Sequence, residues 1–305
     1  MLGPMLRPYV ALATASTVGQ KDFKEDFDEV PLGQALAQQG VEAKVLAWDR
    51  PEDQAGFAGA RLCVLRSTWN YVQNHARFLS WIDWCAGVTQ LWNPAPIVAW
   101  NSHKQYLLEL QSRGIPVVPT RLMRQGRVPG AELPDALSQW GQVVIKPAIS
   151  AGSFATILVD AAAAGVGQAH LAALLPDRDM LLQRYEPSVN QHGERSLIWI
   201  DGALCHAIRK SPRFAGQSEN VSTQAVPIAD DERALSEQIL AQVPAPLLYA
   251  RIDLVRDPAG RPQLMELELI EPSLFFAQSP AAAARLATAI AARLPGAPGG
   301  RAQYG

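Results

Sequence analysis

Apolar residues near the start of the chain fall into short runs, and each run has its own period. Tyr9 to Thr14 is one such run, and Val41 to Trp48 and Arg61 to Arg66 repeat it, which predicts three buried strands. Val30 to Gln39 places Leu32, Ala35 and Leu36 at helical spacing before Gly40. His75 to Cys85 does the same with Phe78, Leu79, Trp81 and Ile82. Strands alternating with helices predict a parallel, doubly wound sheet, an α/β lobe whose ligands bind beyond the carboxyl ends of strands. Thr14 to Asp28 and Arg66 to Tyr71 lie at such ends.

The pattern changes after Asn93-Pro94-Ala95-Pro96, a punctuated break. Asn101 is expected to cap a helix running through Leu107, Leu108 and Leu110 to Arg113, closed by Gly114. Val117 to Arg124, Gln142 to Pro147, Met180 to Tyr185, Ser196 to Ile200, Ala203 to Lys210, Leu248 to Val255 and Pro262 to Leu269 read as strands. Asp201-Gly202 is a two-residue hairpin signal, so this half is α+β with antiparallel pairing. Ser279-Pro280 opens a closing Ala-rich helix to about Leu294, and the Gly/Pro-rich end is expected to fray. The expected division is 1–98 as an N-terminal α/β substrate domain, 99–183 as a small lobe, 184–295 as a large lobe and 296–305 as a flexible tail.

A chain of 305 residues can form two or three lobes with real cores. With 48% hydrophobic and 18% charged residues it reads as a folded soluble protein, and a formal charge of -2 excludes broad attraction to nucleic acid or anionic membrane. There is no bilayer-length apolar run and no signal-peptide pattern at the start, so a cytoplasmic location is expected. Cys63, Cys85 and Cys205 are too few and too scattered for a disulfide framework or a zinc spacing, and read as buried free thiols. Trp69, Trp81, Trp84, Trp92 and Trp100 read as packing or as a homo-oligomer contact. His103 and His206 read as structural or solvated.

Several residues carry candidate chemistry. Lys146 ends the strand Val143-Val144-Ile145, where its ammonium needs a partner such as a phosphate; a snorkelling edge lysine is the other reading. Ser150-Ala151-Gly152-Ser153 follows, small enough for backbone N–H groups to approach phosphate oxygens, or simply a turn. Neither a Walker A loop nor a Rossmann glycine fingerprint is present. Glu266 and Glu268 share one strand face, with Met265, Leu267 and Leu269 on the other. Side by side the two carboxylates repel unless a cation lies between them, and Asp253 on a neighbouring strand would complete a magnesium site. A solvated acidic face is the alternative. Arg209 and Lys210 point to opposite faces, and Arg209 is preferred as the phosphoryl contact because its fork matches that geometry. Arg251 is a weak candidate.

Taken in order, these pieces resemble the ATP-grasp superfamily: Lys104, Lys146 with Ser150 to Ser153, Gln183 to Tyr185, Glu194, Arg209, Asp253, then Glu266 and Glu268. Arg66-Ser67-Thr68-Trp69-Asn70-Tyr71, Asn93-Pro94, Trp100-Asn101 through Lys104, Lys146 to Ser153 and Glu266 to Leu274 are similar to the subgroup around the ligase that cyclises O-ureido-D-serine to D-cycloserine. The resemblance implies an α+β fold of two lobes gripping ATP, with Mg2+ or Mn2+ and ATP as co-substrate. It implies α- and β-phosphates at Lys104 and Lys146, and a loop of Ser150, Gly152 and Ser153 over the γ-phosphate. It further implies adenine beside Gln183, Arg184 and Tyr185, ribose at Glu194, and the metal at Asp253, Glu266 and Glu268. Many members carry Asn where Glu268 stands, so the site here is more negative. Catalysis falls to Lys146 and Arg209. Arg66, Ser67, Thr68 and Tyr71 sit where a small-molecule carboxylate should bind, though for Arg66 a strand-end ion pair remains open. The implied activity is an ADP-forming ligase that makes an acyl phosphate, as in antibiotic biosynthesis. Cyclisation and joining of two molecules both remain open, as does a protein that binds ATP or a metabolite without turnover.

Overall fold

The early apolar runs become a parallel sheet in the computed structural model, which describes residues 8–18, 26–211 and 220–294. The sheet comprises Tyr9–Thr14 (β1), Glu42–Ala47 (β2), Leu62–Ser67 (β3) and Gln90–Trp92 (β4), in the order β2-β1-β3-β4. β1 and β3 are buried at every position, as unbroken apolar runs require when both faces are covered. Ala11, Ala13, Cys63 and Leu65 pack under Phe57, Phe78, Trp81 and Ile82. Val10, Leu12, Leu62 and Val64 pack under Leu32 and Leu36 of helix Glu29–Gln38 and under Leu286 and Ile290 of helix Pro280–Ala292. The last helix among the described residues therefore covers the first sheet, across the expected lobe boundaries.

The connection to the second sheet departs from expectation. In place of one helix capped by Asn101, there are two, Ala95–Asn101 and Tyr106–Ser112. Asn101 ends the first: its side-chain amide donates to the Leu267 carbonyl, and its oxygen accepts the Leu269 N–H, both at 2.8 Å. The Lys104 N–H donates to the Ala148 carbonyl at 2.8 Å, so the helical ladder is interrupted there. Lys104 thus stands in the gap between the helices.

Thr120–Met123 (β5), Gln142–Pro147 (β6), Ile157–Asp160 (β7) and Met180–Arg184 (β8) form an antiparallel sheet in the order β5-β8-β6-β7. Helices Glu132–Trp140 and Ala164–Leu174 cover one face through Leu133, Leu137 and Leu171. Glu194–Ile200 (β9), Ala203–Lys210 (β10), Tyr249–Arg256 (β11) and Pro262–Glu268 (β12) form the third, also antiparallel, in the order β10-β9-β11-β12. Asp201 and Gly202 both have positive φ, 43° and 89°, which a tight hairpin between β9 and β10 demands. Leu197, Ile252, Leu254 and Leu267 turn to an apolar core with Leu107, Leu110 and Ile239. The opposite face carries charge. The expected frayed tail and much of the Thr14 to Asp28 segment lie outside the described residues. Among the described residues no helix is long and apolar enough to cross a membrane.

Candidate active site

The charged face of the third sheet follows from strand period and register. Alternation puts Arg251 with Asp253 on β11, Glu266 with Glu268 on β12, and Glu194 with Ser196 on β9. Asp253 is paired with Glu266 and Ser196, Arg251 with Glu268, and Lys210 with Glu194, so the side chains form one continuous floor. Asp253 accepts from Ser196 at 2.5 Å, from Lys210 at 3.1 Å and from Arg251 at 2.9 Å. Arg251 also engages Glu268, and Lys210 also engages Glu194.

Lys146 at the end of β6 and Lys104 in the helix gap reach this floor from across the cleft. Lys104 Nζ lies 3.0 Å from Glu266 Oε1, and Lys146 Nζ 4.0 Å from Oε2. Lys104 also donates to the Ser150 carbonyl at 2.8 Å, tying it to the loop that follows β6. In that loop Gly152 and Ser153 have φ of 61° and 62°; glycine adopts this freely and serine at a cost, so the turn is held in a narrow shape. Between floor, loop and the first lobe lies a cavity of about 680 Å³.

Lys104, Lys146, Ser150, Gly152, Ser153, Gln183, Arg184, Tyr185, Glu194, Tyr71, Asp253, Glu266 and Glu268 all line that cavity. Arg209 does not. Its guanidinium turns to the other face of β10 and donates to the carbonyls of His192 and Gln191, at 2.9 and 2.8 Å, while Lys210 faces the cavity. Of the adjacent cations, register rather than fork geometry selects the lysine. Arg66, Ser67 and Thr68 are also not among the lining residues; all three are buried. Arg66 donates to the Pro272 carbonyl at 3.0 Å and lies 3.7 Å from Asp28, and Ser67 bonds Thr14 at 2.8 Å. The segment after β12 packs over the end of β3 and takes the place expected for substrate. Trp69, expected to be packing or a homo-oligomer contact, lines the cavity. His103 stands 3.2 Å from Asp179, away from the lining.

Lys210, Arg251 and Glu271 are cavity residues that sequence reasoning missed or undervalued. The signal was present for two of them. The same two-residue alternation that places Glu266 beside Glu268 places Arg251 beside Asp253, and antiparallel pairing then sets Lys210 against Glu194.

The electrostatics divide the carboxyls. Burial opposes an ionised Asp253, but Arg251 and Lys210 outweigh it and hold the carboxyl well below its usual range. Glu266 likewise stays low against burial, through Lys104 and Lys146. Burial pushes Glu194 up to about 7 with Lys210 opposing, and raises Glu268 with Arg251 opposing. Burial lowers the Lys146 ammonium.

For a divalent cation, the donor chemistry fits magnesium: hard carboxylate oxygens from Glu266 and Glu268. Lys146 Nζ stands 4.0 Å from Glu266 Oε2, beyond hydrogen-bond distance. The full expected trio is not assembled, since Arg251 and Lys210 occupy Asp253. Among the described residues no three His, Cys, Asp or Glu side chains gather closely enough to cage an ion. Magnesium needs only one or two carboxylates when phosphate oxygens supply the rest.

This chain is similar to proteins of known type. A family model described as the N-terminal domain of D-cycloserine synthetase DcsG matches residues 10–93. The cycloserine biosynthesis protein DcsG of Streptomyces lavendulae is 33% identical over 284 residues, which is 88% of this chain and 94% of that protein. The crystal structure of D-cycloserine synthetase DcsG matches with a TM-score of 0.84 at 32% identity, covering 93% of this chain and 99% of that one. A RimK domain ATP-grasp protein from Sphaerobacter thermophilus matches with a TM-score of 0.67 at 20% identity, covering 94% and 100%, a likeness of fold alone.

Proposed function

The chain belongs to the family of D-cycloserine synthetase DcsG, and from that membership we propose that its cavity holds ATP beside a small carboxylic acid and activates the acid as an acyl phosphate. It is an ATP-grasp ligase that uses ATP and magnesium to form a C–N bond. The observation that carries the site reading is the convergence of Lys104, Lys146, Lys210 and Arg251 with Asp253, Glu266 and Glu268 on one cavity.

The substrate carboxylate oxygen attacks the γ-phosphorus, the bond to the bridging oxygen breaks, and ADP leaves. A nitrogen nucleophile, which in ring closure of an O-ureido-serine is the oxygen-bonded ureido N–H and not the α-amine, then attacks the acyl carbon, loses its proton and expels inorganic phosphate. Lys104 and Lys146 sit on the phosphate side and offset charge on the triphosphate. Lys210 and Arg251 face the transferring group from the floor, where a water-poor setting strengthens them. The Ser150 to Ser153 loop covers the phosphates and keeps water from the acyl phosphate. Bound at Glu266 and Glu268, with Asp253 behind them, magnesium would supply further charge neutralisation of the phosphoryl oxygens. Gln183, Arg184 and Tyr185 take the adenine and Glu194 the ribose.

Ring closure of an O-ureido-serine-like amino acid is the preferred second step, supported by the identity to DcsG along nearly all of both chains. We place the reaction in the cytoplasm, where ATP and magnesium are supplied; the thiols of Cys63 and Cys85 are free and buried. The test is ADP and phosphate release with magnesium and ATP over a panel of small acids and amino acids that includes O-ureido-D-serine and O-ureido-L-serine. Release with one acid alone, and ring formation without a second amine, is the expected result. Release that needs a second amine means intermolecular ligation. ATP binding with no release across the panel refutes the ligase reading.

A further inference from the structure

Each of the other carboxyls lining the cavity has a cation. Glu194 has Lys210, Asp253 has Arg251 and Lys210, Glu266 has Lys104, Glu268 has Arg251, and Glu186 has Arg184. Glu271 is the exception. Its residue is only 8% exposed and lines the cavity, yet no hydrogen bond or ion pair reaches its carboxyl among the described residues. An unpaired buried carboxyl is costly, and proteins seldom retain one unless something outside the chain completes it.

The backbone around Glu271 is fixed with unusual thoroughness. The Leu269 carbonyl accepts from Asn93 at 2.7 Å, and the Ile270 carbonyl from the Tyr249 hydroxyl at 2.7 Å. The Glu271 carbonyl accepts from Trp69 Nε1 at 3.1 Å, and the Pro272 carbonyl from Arg66 at 3.0 Å. The N–H groups of Leu274, Phe275 and Phe276 all donate to the Asp28 carboxylate. This is a pre-organised mount for one side chain, built from first-lobe residues together with Tyr249 of β11.

We propose that Glu271 is a substrate-binding residue that receives the protonated amine of the substrate. The proposal rests on the ligase reading above and adds a residue to it. Trp69 and Tyr71 line the same part of the cavity, and aromatic faces favour a cation beside them. Arg251 on the floor and Lys104 across the cleft are the cations that act on it, so a substrate with its ammonium on Glu271 can turn its carboxylate toward them. Glu271 is also the charge that acts most strongly on the buried Tyr71 phenol, which places the two close together. The free enzyme accommodates the missing partner by keeping the carboxyl protonated: burial, and then Glu268, push it up to about 8. An arriving ammonium removes that need and is bound as an ion pair.

The test compares the full-length protein with Glu271→Gln and Glu271→Asp, using magnesium–ATP and following ADP release. The probes are O-ureido-D-serine and its des-amino counterpart, 3-(ureidooxy)propanoate. The wild type should prefer the amine-bearing probe in kcat/KM by at least about tenfold. Glu271→Gln should raise the KM for that probe by about tenfold or more, leave the KM for ATP unchanged, and shrink the preference to about twofold. Glu271→Asp should restore part of the preference. Unchanged KM for O-ureido-D-serine in Glu271→Gln, or a wild type indifferent to the amine, overturns the assignment while leaving the ligase reading intact. A wild type that releases no ADP with O-ureido-D-serine or any amino acid overturns the ligase reading, and Glu271's role falls with it.

Discussion

Replacing Glu271 by Gln keeps the side chain's size and removes its charge, so the variant isolates what that carboxyl does to stability. Burial moves it from an ordinary 4.5 to about 8 in the folded protein. Between those values the folded chain keeps a proton that the unfolded chain has released. With more protons bound when folded, stability falls as pH rises through this window, and the loss is complete above the upper value. The size of the shift corresponds to roughly 3 kcal/mol lost at pH 7 and roughly 5 kcal/mol at pH 9. Glu271→Gln escapes this loss. Lys104, Arg251, Glu266, Glu268 and Tyr71 act on the site in both proteins, so the difference between the two reports Glu271. Urea denaturation at about pH 5, about pH 7 and about pH 9 measures it. The variant should exceed the wild type by no more than about 1 kcal/mol at the acid end and by a growing margin at higher pH. An equal difference at all three would show that the carboxyl ionises as freely in the fold as in the open chain, and the reasoning would be wrong.

Other substitutions probe the rest of the cavity. Lys146→Met should weaken ATP binding by at least about tenfold in a calorimetric titration, because the cation facing Glu266 across the cleft is gone. Glu266→Gln should remove magnesium-dependent ADP release while the circular dichroism spectrum and melting behaviour stay near wild type; full turnover would mean the acidic strand is only surface. Lys210→Met should cut kcat by about a hundredfold, whereas Arg209→Met, whose guanidinium faces away, should stay within about twofold. Asp28→Ala strands the buried N–H groups of Leu274 and Phe276, the half-buried one of Phe275 and the Arg66 guanidinium, and should cost about 3 kcal/mol or more by urea denaturation.

Much of this was readable in the residues themselves. β6 and β10 fall where the run of apolar residues and the hairpin pair Asp201-Gly202 place them, because both are bounded by strong local signals. Two short strands escaped. Gln90–Trp92 and Ile157–Asp160 are too brief to show a period, and their pairing with β3 and β6 defines them. Glu266 and Glu268 could be assigned to one face from spacing alone. Arg209 was preferred over Lys210 on side-chain chemistry, although facing is set by register with a strand the local sequence does not reveal. Arg66 marks the limit more sharply. Its partner is the Pro272 carbonyl, far along the chain, and no neighbouring residue announces that contact. Glu271 was visible as an acidic residue after the Glu266–Glu268 strand, but its isolation is a property of the finished cavity.

The helix Pro280–Ala292 caps the sheet that Tyr9–Thr14 begins. During synthesis the opening strands leave the ribosome long before their covering helix is made. Val10, Leu12, Leu62 and Val64 must therefore wait with one greasy side half-dressed until Pro280–Ala292 has been made. Of these elements the one made earlier is covered later, and a chain interrupted before Pro280 would leave the early sheet sticky rather than the region next to the break.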